Sequence, residues 1–366
     1  MTTILGRRLT GHTGAGPVEL LSGLPRLPWL WAVAGVGLLM AAGIFGVLVG
    51  PVHIALGTVV RAVLAPIPWL GGTSSVDPGQ ASILWSLRIP RVVLGAIVGG
   101  MLATAGAAYQ GVFRNPLADP YLLGAAAGAN LGATLAIAYA PGSTLIGVNV
   151  VPLAGFVGAG LAVAGAYALG RTVTGLRNTT GLILAGVAIA AFFNAVQTYI
   201  QQAQTNNIRQ VYSWILGRLV TSGWDGVLLV LPYVAISVAI ILLYRRLLDA
   251  LSVGEEEVTS LGISARRVRL IVVIAATLGT AAVVAVAGTI AFVGIIVPHT
   301  VRLLVGRSYR VVIPLSLLFG ATFLVAADTG ARTIAAPAEV PIGVITALVG
   351  APFFIVVMRS TRAAAL

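Results

Sequence analysis

Val92-Val-Leu-Gly-Ala-Ile-Val-Gly-Gly-Met-Leu-Ala-Thr-Ala-Gly-Ala-Ala-Tyr-Gln110 is a run of 19 residues without a charged side chain. An α-helix of that length rises about 28 Å, close to the hydrocarbon thickness of a bilayer. Gly95, Gly99 and Gly106 fall within it, and small residues on one helix let a second membrane helix approach backbone to backbone. The run predicts a transmembrane helix with a closely packed face.

The same character extends in both directions. Apolar stretches recur near 29–49, 121–139, 152–170, 181–200, 224–244, 270–289, 291–305, 311–331 and 341–358, which with the first run makes ten spans. Only 22 basic and 10 acidic side chains occur in 366 residues, so 9% of the chain is charged where a soluble domain has about a quarter. With 58% hydrophobic residues and a mean hydropathy of +1.01, the chain has too few polar side chains for a water-facing surface. It predicts an all-α polytopic membrane protein of about ten helices, one bundle over 29–362 behind a polar tail at 1–28. The first apolar run lacks a small-residue cleavage site and reads as a retained span, not a secretory signal. The span at 291–305 is short and follows its predecessor after a glycine, which suggests a helical hairpin or a partly re-entrant element.

Absences narrow the function. The chain has no cysteine, and all 22 basic residues are arginine. Thiolate zinc sites, disulfides and cysteine nucleophiles are therefore excluded, as is a phosphate-binding loop that needs lysine. His12, His53 and His299 are scattered, so no metal site and no resident cofactor are expected, and no enzymatic constellation stands out. The net charge of +12 is a topology signal that calls for no nucleic-acid partner. With both termini inside, sixteen arginines fall on cytoplasmic segments and six outside, as the retention of basic residues on the inner side requires.

Ala105-Gly106, Pro116 and Gly124 are matched by Ala287-Gly288, Pro298 and Gly306 at a constant offset of 182 residues. An odd number of spans per half would make the two halves inverted repeats, an arrangement found in transporters.

The charged residues gather in a few places. Ser252 to Arg267 contains Glu255, Glu256 and Glu257, then Gly262, Ser264 and paired arginines. Ser252 with Glu255 suggests a capping box, Gly262 a helix stop and Ser264 a second cap, hence two short helices outside the membrane. Such a loop either rests on the lipid surface or docks a soluble partner. Arg88-Ile-Pro-Arg91 at the outer start of the second span, with Arg332 near the outer end of the ninth, reads either as arginines snorkelling to headgroups or as a cationic rim for an acidic partner. Arg114-Asn-Pro-Leu-Ala-Asp-Pro120 breaks the helix at the inner end of the second span. Asp328, a carboxylate inside a span, raises a proton relay as an alternative to simple pairing with Arg332 at i+4.

Together these motifs resemble the FecCD permeases, which import ferric siderophores, haem and cobalamin. The resemblance starts near residue 30 and rests on Arg88-Ile-Pro-Arg91, the run Gln110 to Gly124, the loop Gly254 to Gly262, Phe292-Val-Gly-Ile-Ile-Val-Pro-His299, and Ala327-Asp328 through Arg332 to Glu339-Val-Pro-Ile-Gly343. It implies an inverted-repeat, type II ABC importer permease of the cytoplasmic (inner) membrane. Its implied partners are a second permease copy or paralogue, two cytoplasmic ATP-binding subunits holding ATP and Mg²⁺, and an extracytoplasmic substrate-binding protein. Glu255, Glu256, Glu257, Leu261 and Gly262 would belong to the ATPase-coupling loop, drawn at 250–269. Arg88, Arg91 and Arg332 would receive acidic residues of the binding protein. Asn115, Leu117, Asn178 and Thr179 would lie near the cytoplasmic gate, and His299 would be structural. The implied cargo is a ferric siderophore, with cobalamin and haem as alternatives. A proton-coupled secondary transporter and a membrane scaffold are the readings from other classes.

Overall fold

The computed structural model describes residues 28–50, 52, 54–64, 77–145, 148–174, 179–219, 223–254 and 262–363. Helix α1 is Trp29–Leu48, α2 Leu56–Leu64, α3 Pro78–Ile83, α4 Ile89–Phe113 and α5 Ala125–Tyr139. A small antiparallel pairing, β1 Thr144–Leu145 with β2 Val148–Asn149, precedes α6 Val150–Thr174 and α7 Thr179–Ala203. Then come α8 Ile208–Ile215, α9 Asp225–Val253, α10 Ala265–Ala287, α11 Val293–Val305, α12 Tyr309–Thr333 and α13 Ile342–Ala363. Among the described residues seven helical stretches are long and apolar enough to cross a membrane, and α5, α11 and α13 are shorter apolar helices. These stand at the ten positions read from the sequence.

Helix α4 forms the centre of the bundle. From Val98 to Phe113 every residue is buried, and α9, α10, α11 and α12 pack around it. The glycines make this possible. A Cβ on Gly99 would lie 2.2 Å from the Gly320 carbonyl of α12, and one on Gly106 would lie 2.0 Å from the Gly294 carbonyl of α11. Gly128 of α5 meets the Gly158 carbonyl of α6 in the same way, at 2.1 Å. The periphery is the reverse of the centre: Leu30, Leu161, Leu243 and Leu348 are each more than 60% exposed. Large aliphatic side chains pointing outward suit a hydrocarbon solvent, and the interior is held by close backbone contact where lipid supplies no hydrophobic drive.

Three boundary readings change. Arg88 does not sit at a helix start, because α3, a π turn at Leu84–Arg88 and α4 run on as one 36-residue helical stretch. Pro90 cannot donate to the Ser86 carbonyl. The Gly223 N–H takes that acceptor at 2.8 Å and the Trp224 indole donates to Trp85 O at 3.1 Å, so the helix continues past the proline. Ser252 does not open a helix: it lies in the last turn of α9, its hydroxyl donating back to Asp249 O. Ser264 caps α10 itself, accepting from Arg267 N at 3.4 Å, and no separate short helix begins there. Residues 250–253 therefore belong to α9 and 265–269 to α10, which narrows the expected loop to 254–264. The 182-residue match also pairs unlike places, since Gly106 lies inside α4 while Gly288 ends α10 at φ +69°.

Candidate functional site

The described residues of the predicted sites fall at the two ends of the bundle. At the arginine end, α4 brings Arg91 against α12. Its guanidinium spans two carboxylates, Asp328 at 2.9 to 3.1 Å and Glu339 at 2.9 and 3.0 Å. Arg332 pairs with Asp328 one turn earlier at 3.1 Å. Among the described residues Arg88 touches no carboxylate: it donates to Val47 O at 2.8 Å, Leu48 O at 3.0 Å and also to Val52 O. Arg332 reaches Gly46 O at 3.0 Å. Both arginines thereby satisfy carbonyls that the last turn of α1 leaves without an intrahelical donor.

The expected rim is thus a buried cluster. Arg88 and Arg332 are 5% and 4% exposed and Asp328 2%, whereas Glu339 is 41% exposed at its side chain. Burial of a guanidinium is tolerable only with its donors spent, and the end of α1 and Asp328 spend them. The i+4 pairing of Asp328 with Arg332 holds. Its second partner, Arg91, was invisible in sequence because α4 lies 237 positions away.

Between the ends lies an open cavity of about 690 Å³, walled by Tyr121, Asn130, Ile215, Thr289, Val344 and Leu348 among others. Its wall is tied together through the backbone. Thr289 donates its hydroxyl to Ile215 O, Gly343 N donates to Leu216 O at 3.0 Å, and the Tyr121 hydroxyl donates to Ile290 O and accepts from Ile290 N, each at 3.2 Å. Gly288 is required here twice over: φ is +69°, and a Cβ would stand 2.0 Å from Trp214 O.

At the opposite, loop end, Asn115 and Leu117 share one turn, the Asn115 side chain accepting from Leu117 N at 2.9 Å. Asp119 does the same for Tyr121 N at 2.8 Å. Burial pushes the Asp119 carboxyl up to about 6, against the opposing effect of that N–H. Gln110 fastens the turn: its amide donates to Ala118 O at 3.2 Å and to Gly294 O at 3.0 Å. The latter is the carbonyl that Pro298 of α11 leaves without its i+4 donor. Leu117 is exposed. Thr179 opens α7, and Asn178 lies outside the described residues, as do Glu255, Glu256, Glu257 and Leu261 of the loop. Gly262 is described, exposed and at φ +74°.

The helix leading into that loop is anchored by a residue the sequence did not single out. Asp249 of α9 accepts from Ser308 Oγ at 2.7 Å and Tyr309 N at 2.5 Å, and pairs with Arg310 at 3.4 Å. It caps α12 from another helix. No local spacing signals a cap supplied across 59 residues. His299 stands edge-on to Phe353 at 6.0 Å, a packing contact between α11 and α13.

A model of the FecCD transport family matches residues 38–360. The cobalamin import system permease protein BtuC of Halobacterium salinarum is 38% identical over 366 residues, covering 92% of this chain and 97% of its own. The iron(3+)-hydroxamate import system permease protein FhuB of Bacillus subtilis is 35% identical over 332 residues, 90% of this chain and 83% of its own. Among solved structures, a metal-chelate type ABC transporter in an inward-facing conformation superimposes with a TM-score of 0.78 at 27% identity, over 91% of this chain and 99% of that one.

Proposed function

The chain belongs to the FecCD transport family, and on that premise we propose that it is the membrane-spanning subunit of an ATP-driven importer for a bulky metal chelate, foremost a ferric siderophore. Such permeases are transport components, and the chain's lack of lysine leaves it no phosphate-binding loop of its own. The observation that carries the reading is the open, largely apolar cavity walled by α5, the end of α8, α13 and residues 289–291 of a ten-helix bundle. It suits a cargo that is passed on without covalent chemistry.

In this reading both termini face the cytoplasm, so the arginine end lies outside and the loop end inside. Two ATP-binding subunits carrying ATP and Mg²⁺ dock on residues 254–264, with Glu255, Glu256, Glu257, Leu261 and Gly262 in the contact. Closure of those subunits biases the bundle between two packings, and Asp249 supports this by tying the end of α9 to the start of α12. Asn115, Leu117, Asn178 and Thr179 form the cytoplasmic gate, which the fastening of the Asn115 turn by Gln110 supports. A second copy or paralogue completes the pathway. An extracytoplasmic binding protein approaches the arginine end, where Arg88, Arg91 and Arg332 outnumber Asp328 and Glu339. The partly exposed Arg91 to Glu339 edge is its point of entry.

The test is reconstitution of the chain with its ATP-binding subunits and binding protein in liposomes. Chelate uptake should require ATP and survive a protonophore. Uptake that persists without ATP and collapses with the protonophore would instead establish a proton-coupled transporter. That alternative loses support here because Asp328 is held by Arg91 and Arg332. Deleting residues 255–261 should abolish uptake, and retention would remove the coupling role.

A further inference from the structure

We propose that the groove over α10, between α6 and α9, binds an anionic phospholipid, with its phosphate on Arg171 and Arg267 and an acyl chain along α10. The groove shares no residue with the cavity described above, and it takes from the importer reading only the leaflet it faces, the inner one. Helices α6 and α9 both pack on α10. Towards the end of α10 a small cavity of about 40 Å³ lies between the three, with Phe156 of α6, Tyr233 of α9, and Ala282 and Ala285 of α10 in its wall. The Phe156 and Tyr233 rings meet there, 5.5 Å between centroids, and link α6 to α9. From that closed end one face of α10 continues through Leu278, Ile274 and Ile271 to Arg267 at steps of three and four residues. It opens on the way: Ala282 is 3% exposed, Ile274 57%, and Arg267 is exposed.

The flanking helices carry matching faces. On α6, Phe156, Gly160, Tyr167 and Arg171 follow at steps of four and seven residues, and a Cβ on Gly160 would meet nothing within 4 Å. On α9, Tyr233, Ile240 and Tyr244 do the same. Arg171 stands in the last turn of α6 and Arg267 in the first turn of the 23-residue α10, so both reach headgroup depth at the same end of the groove. Among the described residues neither guanidinium has a hydrogen bond or an ion pair. The described carboxylates of this end are otherwise engaged, Asp119 in its own turn and Asp249 by Ser308, Tyr309 and Arg310. Two unspent guanidiniums at the open end of an apolar groove fit an occupant with an anionic head and an apolar tail. A phosphodiester accepts from arginine through paired oxygens, and basic positions between membrane helices on the cytoplasmic side hold anionic headgroups. A soluble anion would leave Ile271 and Ile274 uncovered.

The experiment is native mass spectrometry of the assembled importer after exchange into equal amounts of phosphatidylglycerol and phosphatidylcholine. The wild type should retain phosphatidylglycerol in preference, and Arg171→Gln and Arg267→Gln should each lower that preference about fivefold. Arg246→Gln is the control. Arg246 is exposed on α9 two residues past Tyr244, on the far side of that helix from the groove, and its replacement should leave the preference unchanged. Equal loss in all three variants would reduce the effect to the general attraction of a basic face and overturns the site. Displacement of the lipid by an equal concentration of glycerol phosphate, which has the head without the chain, overturns it too. So does an assembled importer that retains no phosphatidylglycerol, because another subunit then covers the groove. Should Arg267→Gln fail to fold, Arg171→Gln and the glycerol phosphate competition decide. The readout involves no transport, so its failure leaves the importer reading standing, and a failure of ATP-driven uptake leaves the lipid site standing.

Discussion

The two ends of α12 are fastened by opposite means. At the arginine end its last turns carry Asp328 and Arg332, side chains 3% and 4% exposed, locked to Arg91 and to the carbonyls ending α1. At the loop end its first turn is capped by Asp249, 23% exposed at the side chain, with Arg310 at 25%. A dry ion cluster is rigid because losing one partner strands a charge without water. A half-wet cap can open and be replaced by solvent at small cost. The contrast puts the dry fastening of the helix beside α1 and the half-wet one beside the last turns of α9.

The contrast is breakable. Asp328→Ala leaves the Arg91 and Arg332 guanidiniums short of a shared carboxylate, and should destabilise the protein by about 3–5 kcal/mol, read as a lowered midpoint of thermal unfolding in detergent. A midpoint equal to wild type would mean that water reaches the cluster. Gln110→Leu removes the donor from Ala118 O and Gly294 O, a loss of about 1–3 kcal/mol. Faster amide hydrogen exchange across 114–120 should accompany it, and unchanged exchange would deny Gln110 its hold on the turn. For Asp249→Ala the loss of the cap should cost about 1 kcal/mol in the same unfolding assay, with ATP-coupled uptake falling further than stability does. A cost matching that of Asp328→Ala would erase the difference between the ends.

Glu339→Gln should cost under about 1 kcal/mol, since Glu339 is 41% exposed at its side chain; a larger loss would extend the dry cluster to the surface. Half-buried Asp119 is tested through pH. Its carboxyl titrates near 6 in the fold, above the ordinary 3.8, so the folded chain holds that proton more tightly than the unfolded one. Its contribution to stability is full below about pH 4 and is lost as pH rises through 6. Asp119→Asn should flatten the slope of unfolding midpoint against pH, and an unaltered slope would assign it to other groups.

Some of this was legible in one dimension. The ten span positions follow from charge-free runs, because a bilayer demands length and apolarity from each helix separately. Gly99 and Gly106 were readable as contact points, and the structure supplies their partners, the carbonyls of Gly320 and Gly294. The arginine end was legible as residue types but not as geometry. A surface arginine and one that caps a distant helix look alike in sequence, and only the arrival of the end of α1 beside Arg88 tells them apart. Pro90 falls within Arg88-Ile-Pro-Arg91, which reads in sequence as the outer start of a span. It lies inside a longer helical stretch because Gly223, remote in the chain, accommodates the carbonyl it leaves free.

The sequence by itself determined the solvent, the span positions and the lack of a lysine-dependent phosphate-binding loop, since each depends on composition within short windows: uncharged runs and no lysine. The tertiary structure alone decided which charges are buried, which amide holds the Asn115 turn and which helix caps α12. Those properties depend on pairs such as Arg91 with Asp328, Gln110 with Gly294 and Asp249 with Tyr309, and a bond between residues far apart in the chain has no signature in either neighbourhood until the helices have packed.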